Sequence, residues 1–212
     1  MQTQQQPSQP ASYTTLPRLL AMACLLIFSL PQQVVNADSD TDLKIKQIKV
    51  AYLANFIRFT TWPDIQSEDN KDKPLLITII GDDNFSEMLQ NAFSKSSING
   101  HKITIQSIKK LSIKNDGIID KQRQQISNSQ MIYMRSTNHA DLQAVRRLNT
   151  NPGHLLLGDM KDFAESGGMI GFRDSRHGVS FTVNIAEVRR ARIQVSSKVL
   201  RLGVIVYQKD DR

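Results

Sequence analysis

Cysteine is almost absent from this chain, since Cys24 is the only one among 212 residues. Cys24 lies inside an apolar N-terminal run, residues 19–30, which is too short to span a bilayer and is typical of a secretory signal peptide. The small-residue pattern that ends at Ala37 predicts cleavage after that residue. A chain cleaved there has no cysteine, so it has no disulfide, no thiolate nucleophile and no Cys-ligated metal site.

Long runs of one charge are also absent. The chain has 27 basic and 20 acidic residues, and residues 1–37 contain one basic residue and no acidic one. The remainder therefore has 26 basic and 20 acidic residues, a net charge of +6. The longest basic runs are pairs, and no nucleic-acid motif accompanies them. We predict a signal peptide over residues 1–37, one domain over residues 38–212, and no nucleic-acid partner.

The common catalytic and cofactor motifs are missing. The turn Gly81-Asp82-Asp83 follows an apolar run, but aspartates there would repel a phosphate, and the G-x-G-x-x-G spacing of a dinucleotide site is lacking. There is no nucleophile elbow and no HExxH pair. Four histidines lie on separate predicted elements: His101, His139, His154 and His177. We therefore predict no metal, no cofactor and no enzymatic activity.

Apolar periodicity predicts alternating helices and strands. Residues 44–59 form a helix whose core-facing stripe is predicted from residues three or four apart: Ile45, Ile48, Tyr52, Phe56 and Phe59. Asn84 with Glu87, and Asn184 with Glu187, are spaced as reciprocal helix caps. Residues 163–168 indicate a short helix closed by paired glycines.

Strands are predicted over residues 75–80, 103–105, 131–134, 154–157 and 203–207. The alternation at residues 169–183 indicates a β-hairpin. A polar helix or surface loop is expected over residues 120–129. The predicted fold class is α/β: a single layered, Rossmann-like domain with a largely parallel sheet, helices on both faces and a C-terminal β-hairpin.

Three blocks of sequence resemble one family of secreted bacterial proteins. Residues 163–202 read FAESGGMIGFRDSRHGVSFTVNIAEVRRARIQVSSKVLRL, residues 51–63 read AYLANFIRFTTWP, and residues 75–85 read LLITIIGDDNF. In order and spacing these blocks are similar to the YfiR family. The resemblance implies a periplasmic protein that binds and represses the periplasmic part of an inner-membrane diguanylate cyclase, and it implies a homodimer. Some relatives are expected to carry disulfides, which this chain cannot form after cleavage.

Two groups of residues are the candidate sites. Polar residues near strand ends and in the hairpin turn could form a ligand cleft, or could be ordinary exposed charges: Asp82, Arg135, Asp159, Arg173 and His177. Apolar and arginine residues in the C-terminal block could form a partner surface, or the arginines could simply complement a helix C-terminus: Val188, Arg189, Arg190, Arg192 and Ile193. The alternative function is a periplasmic module that senses a small molecule and has a different output.

Overall fold

The computed structural model describes residues 37–63, 65, 70, 72–81, 83–95, 97–114, 117–135, 137–148, 153–175 and 178–207. The predicted signal peptide lies outside these residues except for Ala37. The described helices are α1 (Ala37–Arg58), α2 (Asp83–Phe93), α3 (Asp120–Ser127), α4 (His139–Arg147), α5 (Ile185–Arg190) and α6 (Ser197–Leu200). The described strands are β1 (Thr60–Thr61), β2 (Leu75–Ile80), β3 (Ser97–Ile98), β4 (His101–Ile108), β5 (Ile113–Lys114), β6 (Gly117–Ile118), β7 (Met131–Met134), β8 (Leu155–Gly158), β9 (Ile170–Ser175), β10 (Gly178–Asn184), β11 (Gln194–Val195) and β12 (Val204–Val206).

A mixed sheet of eight strands forms the centre of the fold, in the order β12-β10-β9-β8-β7-β2-β4-β3. Strands β4, β2, β7, β8 and β9 are parallel to one another, as the alternation of helices and strands predicted. Strand β10 pairs antiparallel with β9, opposing Gly178 to Ser175, and β12 pairs parallel with β10. The four residues of β7 and of β8 are all buried, as expected for inner strands of a parallel sheet.

The buried face of α1 overlaps only in part with the predicted one. The residues buried on α1 are Lys49, Leu53, Phe56 and Ile57, whereas Ile48 and Phe59 are 37% and 40% exposed. The predicted stripe was therefore wrong for Ile48 and Phe59. Tyr52 and Phe56, which belong to the predicted stripe, contact the rings of Phe172 and Phe181 on β9 and β10. This packing sets the rotation of α1, and it points Lys49 at the sheet.

Two predicted caps differ from the structure. Helix α2 begins at Asp83, so Asn84 lies within the helix and is not its cap. The side chain of Asn184 does accept a hydrogen bond from the backbone N–H of Glu187 and caps α5. The carboxylate of Glu187 does not reach back to the cap, because it pairs with two arginines instead. Residues 161–167 form consecutive turns in place of the predicted short helix.

No helix in the described part of the chain combines the length and the apolar character of a membrane span.

Candidate functional site

Charged side chains gather at the carboxyl ends of three neighbouring parallel strands. Arg135 directly follows β7, Asp159 directly follows β8, and Asp174 lies near the end of β9. The pairing of Met134 with Gly158, and of Gly158 with Gly171, aligns these three strands. Because parallel strands end at the same edge of a sheet, residues far apart in sequence meet there.

Lys49 is the centre of this cluster. Its side chain is only 2% exposed, and its Nζ lies 3.0 Å from Asp159 Oδ2 and 2.7 Å from Asp174 Oδ2. The same ammonium lies 5.7 Å from the centroid of the Phe172 ring. A buried ammonium must be paired, and Lys49 has two carboxylates. Sequence reasoning missed Lys49, although its spacing from Leu53 and Phe56 marks it as a polar residue on an apolar helix face.

Tyr133 contacts the carboxylate oxygen of Asp159 that Lys49 does not. Its hydroxyl donates a hydrogen bond to Asp159 Oδ1. Burial raises the pKa of Tyr133 far above its ordinary value, and the negative charge of Asp159 raises it further. The phenol therefore stays protonated and acts as a fixed donor, which keeps the carboxylate of Asp159 in one orientation.

Arg135 completes the cluster from the side of β7. Its Nη1 lies 3.7 Å from Asp159 Oδ2, and its guanidinium stacks over the Phe85 ring, with 4.4 Å between Cζ and the ring centroid. Gly81 makes this possible, because a Cβ at position 81 would lie 2.0 Å from the carbonyl oxygen of Arg135. The φ of +116° at Gly81 is also one that only glycine adopts easily.

The cluster balances its own charges. The cations of Lys49 and Arg135 face the carboxylates of Asp159 and Asp174, and the Tyr133 hydroxyl satisfies a further oxygen. These groups bind one another, which ties α1 to three strands. The arrangement therefore has the contacts of a structural cluster that links α1 to β7, β8 and β9.

The predicted ligand cleft is brought together only in part. Arg135 and Asp159 do meet, but Arg173 turns to Glu165, with 2.6 Å between Nη2 and Oε1. Asp82 and His177 lie outside the described residues. A concavity of about 420 Å³ borders the cluster and is lined by Asp159, Arg173 and Asp174 among others. Sequence reasoning missed Tyr133 and Asp174, since neither belongs to a recognisable motif.

The predicted partner surface needs one correction. Val188 and Ile193 are buried, at 4% and 6% exposure, so they belong to the core and offer no apolar surface to a partner. The arginines at positions 189, 190 and 192 are exposed. Arg190 is not a simple surface charge, because its Nη1 lies 2.7 Å from the buried carboxylate of Glu187.

Metal ligation has no support in the geometry of the described residues. No group of three or more His, Cys, Asp or Glu side chains in that part of the chain lies close enough to hold an ion. His101 and His154 each bond a backbone carbonyl instead.

Comparison with known proteins adds the family. No curated protein matches the chain. A family model described as YfiR/HmsC-like matches residues 46–204, which include α1 from its third turn, the eight-stranded sheet up to the first residue of β12, and the cluster around Lys49. The chain therefore belongs to the YfiR/HmsC-like family, which is periplasmic, is regulatory rather than catalytic, and is associated with diguanylate cyclase signalling.

Proposed function

We propose that this protein is exported to the periplasm, binds the periplasmic part of an inner-membrane diguanylate cyclase and represses it. The observation that carries the proposal is the match of the YfiR/HmsC-like family model to residues 46–204. The apolar run at residues 19–30 and the cleavage pattern at Ala37 support export. The protein would be a regulator and not an enzyme, and its domain would start near Asp38.

Repression requires a difference in affinity between two states of the cyclase. A regulator that bound the active and inactive states equally would shift nothing, however tightly it bound. The protein must therefore bind the inactive state more tightly, and cyclic di-GMP then falls on the other side of the membrane as an indirect effect.

The exposed arginines of the C-terminal block are the surface we propose for the cyclase. Arg189, Arg190 and Arg192 are exposed and follow one another within a single turn region at the end of α5. Arginine is enriched at protein interfaces, because its guanidinium pairs with carboxylates in a defined geometry. The complementary surface of the cyclase would therefore carry Asp or Glu side chains.

The homodimer belongs to the same proposal. Strand β12 lies at one edge of the sheet, and exposed apolar side chains cluster in and around it: Leu202, Val204, Ile205 and Tyr207. An exposed apolar edge strand favours association. Size-exclusion chromatography with light scattering would show whether Ile205→Lys converts a dimer to a monomer.

Cyclic di-GMP in cells tests the repressor role. Deletion of the gene should raise cellular cyclic di-GMP, and the wild-type gene supplied in trans should lower it again. Arg190→Glu should fail to lower it, whereas Arg123→Glu, an exposed arginine on α3, should restore repression. An unchanged level after deletion would contradict the proposal, and full activity of the Arg190→Glu protein would exclude this surface alone.

Export is tested separately. N-terminal sequencing of the protein from the periplasmic fraction should begin near Asp38. Full-length protein confined to the cytoplasm would contradict export.

A second function is favoured by one observation. The concavity of about 420 Å³ beside Asp159 and Arg173 has the size of a small-molecule site, which fits a periplasmic sensory module with a different output. A neighbouring gene that encodes a transmembrane periplasmic sensor with a GGDEF domain would favour the cyclase, and its absence would favour this second function.

A further inference from the structure

A second cavity lies between α4, α5 and the strands β7 and β8. Its volume is about 260 Å³. Much of its lining is apolar, and the apolar side chains come from helices and strands of the core: Ile126, Ile132, Val145, Leu156, Met169 and Ala191. Small-molecule sites in proteins typically combine such an apolar lining with a few placed polar groups.

The polar groups of this cavity carry an excess of positive charge. Arg146 and Arg190 line it, and Glu187 is the one carboxylate among the described lining residues. His154 also lines the cavity, and burial lowers its pKa below the ordinary value of 6.5, so its ring is uncharged at neutral pH. Two guanidinium groups beside one carboxylate favour an anionic ligand.

Arg146 and Arg190 are held in place by Glu187. Glu187 Oε1 lies 3.4 Å from Arg146 Nη2 and 2.7 Å from Arg190 Nη1, and the Glu187 side chain is only 8% exposed. Arg146 Nη1 also donates to Gln143 Oε1 at 3.1 Å. A guanidinium has five N–H donors, and these contacts use two from Arg146 and one from Arg190. Both side chains are thus oriented while donors are left over for a ligand.

The backbone of Gly167 leaves room for the guanidinium of Arg146, which a side chain at this position would not. A Cβ at position 167 would lie 2.3 Å from Arg146 Cζ, and the φ of Gly167 is +100°. The guanidinium therefore lies directly against the Gly167 backbone. Oriented guanidinium groups bind carboxylates better than mobile ones do, because less side-chain entropy is lost on binding.

We propose that this cavity binds a small monocarboxylate with an aromatic or branched aliphatic body. The carboxylate contacts Arg146 and Arg190, and the body lies on the apolar lining around Val145, Leu156 and Met169. The volume of about 260 Å³ lies just below the usual range of ligand pockets, about 300 to 1,000 Å³, which favours molecules of amino-acid size over nucleotides. The inference does not rest on the cyclase, because binding can be measured with the purified protein.

Isothermal titration calorimetry with phenylacetate and with 4-methylpentanoate tests the proposal on the full mature chain. We expect a Kd of about 1 mM or tighter for at least one of them. Phenylacetamide lacks the charge and acetate lacks the apolar body, so each should bind at least about tenfold more weakly. Failure of both probes to bind, or equal binding of phenylacetate and phenylacetamide, would overturn the proposal. Inorganic phosphate is a further probe: if it binds and neither carboxylate does, the cavity is a phosphate site and the proposal is wrong.

Matched variants locate the binding. Arg146→Gln and Arg190→Gln should each weaken phenylacetate binding about tenfold or more, since each removes a charge-assisted hydrogen bond. Arg189→Gln removes the same charge from the neighbouring position on α5, which does not line the cavity, and should leave the Kd unchanged. Equal effects of Arg189→Gln and Arg190→Gln would refute the placement.

A methyl signal gives a local readout that does not depend on the stability of any arginine variant. With methionine labelled at the ε-methyl carbon, the NMR signal of Met169 should shift on addition of phenylacetate, and Met169→Leu assigns it. Met88 lies on α2 and serves as the internal reference. A shift at Met88 without one at Met169 would place the ligand elsewhere and contradict the proposal.

Discussion

Two clusters of ionised side chains in this fold use the same kinds of residues in opposite ways. Around Lys49, two cations meet two carboxylates, and the ammonium is 2% exposed. Around Glu187, two arginines meet one carboxylate, and the arginine side chains are 21% and 56% exposed beside a cavity. The first cluster is electrically balanced around a buried ammonium, with only Asp174 substantially exposed, at 44%, whereas the second has more positive than negative charge.

The difference teaches how to separate structural from binding charges. A buried charge is strongly destabilising when its partner is lost, so the groups around Lys49 must stay together for the fold to persist. When a partly exposed arginine loses its partner, the free energy of unfolding falls little, because water solvates the charge. The remaining N–H donors of such an arginine can contact a ligand. Burial and charge balance together therefore distinguish the two clusters better than residue type does.

Truncation of a buried aromatic residue should cause the largest loss of stability, and this loss is the reference for the variants in both clusters. Trp62, which follows α1, is 5% exposed. Trp62→Ala should lower the free energy of unfolding by about 3 to 5 kcal/mol, because a large apolar side chain is lost and a cavity remains. Urea denaturation followed by circular dichroism measures it. A loss below about 1 kcal/mol would show that Trp62 contributes little to the core.

Loss of the buried ammonium of Lys49 should lower the free energy of unfolding nearly as much as Trp62→Ala does. Lys49→Ala should lower the free energy of unfolding by about 3 kcal/mol, since Asp159 is left with Arg135 at 3.7 Å as its nearest cation. Lys44→Ala, on the same helix, is the matched control, because the pair of Lys44 with Asp40 is mostly exposed and should contribute less than about 1 kcal/mol. Equal losses for the two variants would mean that the Lys49 cluster is not structural.

Substitutions in the cluster around Glu187 should lower the free energy of unfolding less than Lys49→Ala does. Glu187→Gln should cost about 1 to 2 kcal/mol, because the buried side chain loses its charged contacts with Arg146 and Arg190. Arg190→Gln should cost less than about 1 kcal/mol, since that side chain is 56% exposed. Thermal and urea unfolding of both variants check this order. The reverse order would show that Arg190 is the structural partner.

The smallest expected effect concerns pH. Burial lowers the pKa of His154 in the folded chain below its ordinary value of 6.5, so the unfolded chain takes up a proton first as the pH falls. Stability contributed at this position is complete above about pH 6.5 and is lost as the pH falls below it. His154→Asn should therefore make the loss of stability below about pH 6.5 shallower.

The matched control for that variant is His139→Asn, which removes an exposed histidine from α4. Unfolding curves at a series of pH values should show the shallower slope only for His154→Asn. An unchanged slope in His154→Asn would mean that the protonation of this residue does not couple to folding.

Local patterns were enough for most elements of the fold. Continuous apolar runs predicted β2 and β7, and the apolar pattern after position 84 predicted α2, because these segments are buried on the faces that their periodicity marks. The side chain of Asn138 caps α4 together with Asp141, a spacing typical of a helix start. Helix α1 was predicted as an element, but its buried face was not.

The candidate sites show the limit of the same reasoning. Arg135 and Asp159 were recognisable because both follow strands, and the ends of parallel strands converge. Lys49, Tyr133 and Asp174 were not recognisable, since each lies inside a helix or strand and gains its role from partners 26 to 125 residues away. Val188 and Ile193 were taken for surface residues because sequence alone does not show which neighbours cover them.

The sequence by itself determined most of the secondary-structure elements, the family and the lack of any cysteine beyond residue 24, because these follow from local periodicity, short motifs and composition. The tertiary structure alone decided which face of α1 is buried, which charges balance one another at Lys49, and which arginines remain beside an open cavity. The physical reason is that burial and pairing depend on contacts between segments far apart in the chain, and packing of the aromatic residues of α1 against β9 and β10 selects one set of such contacts.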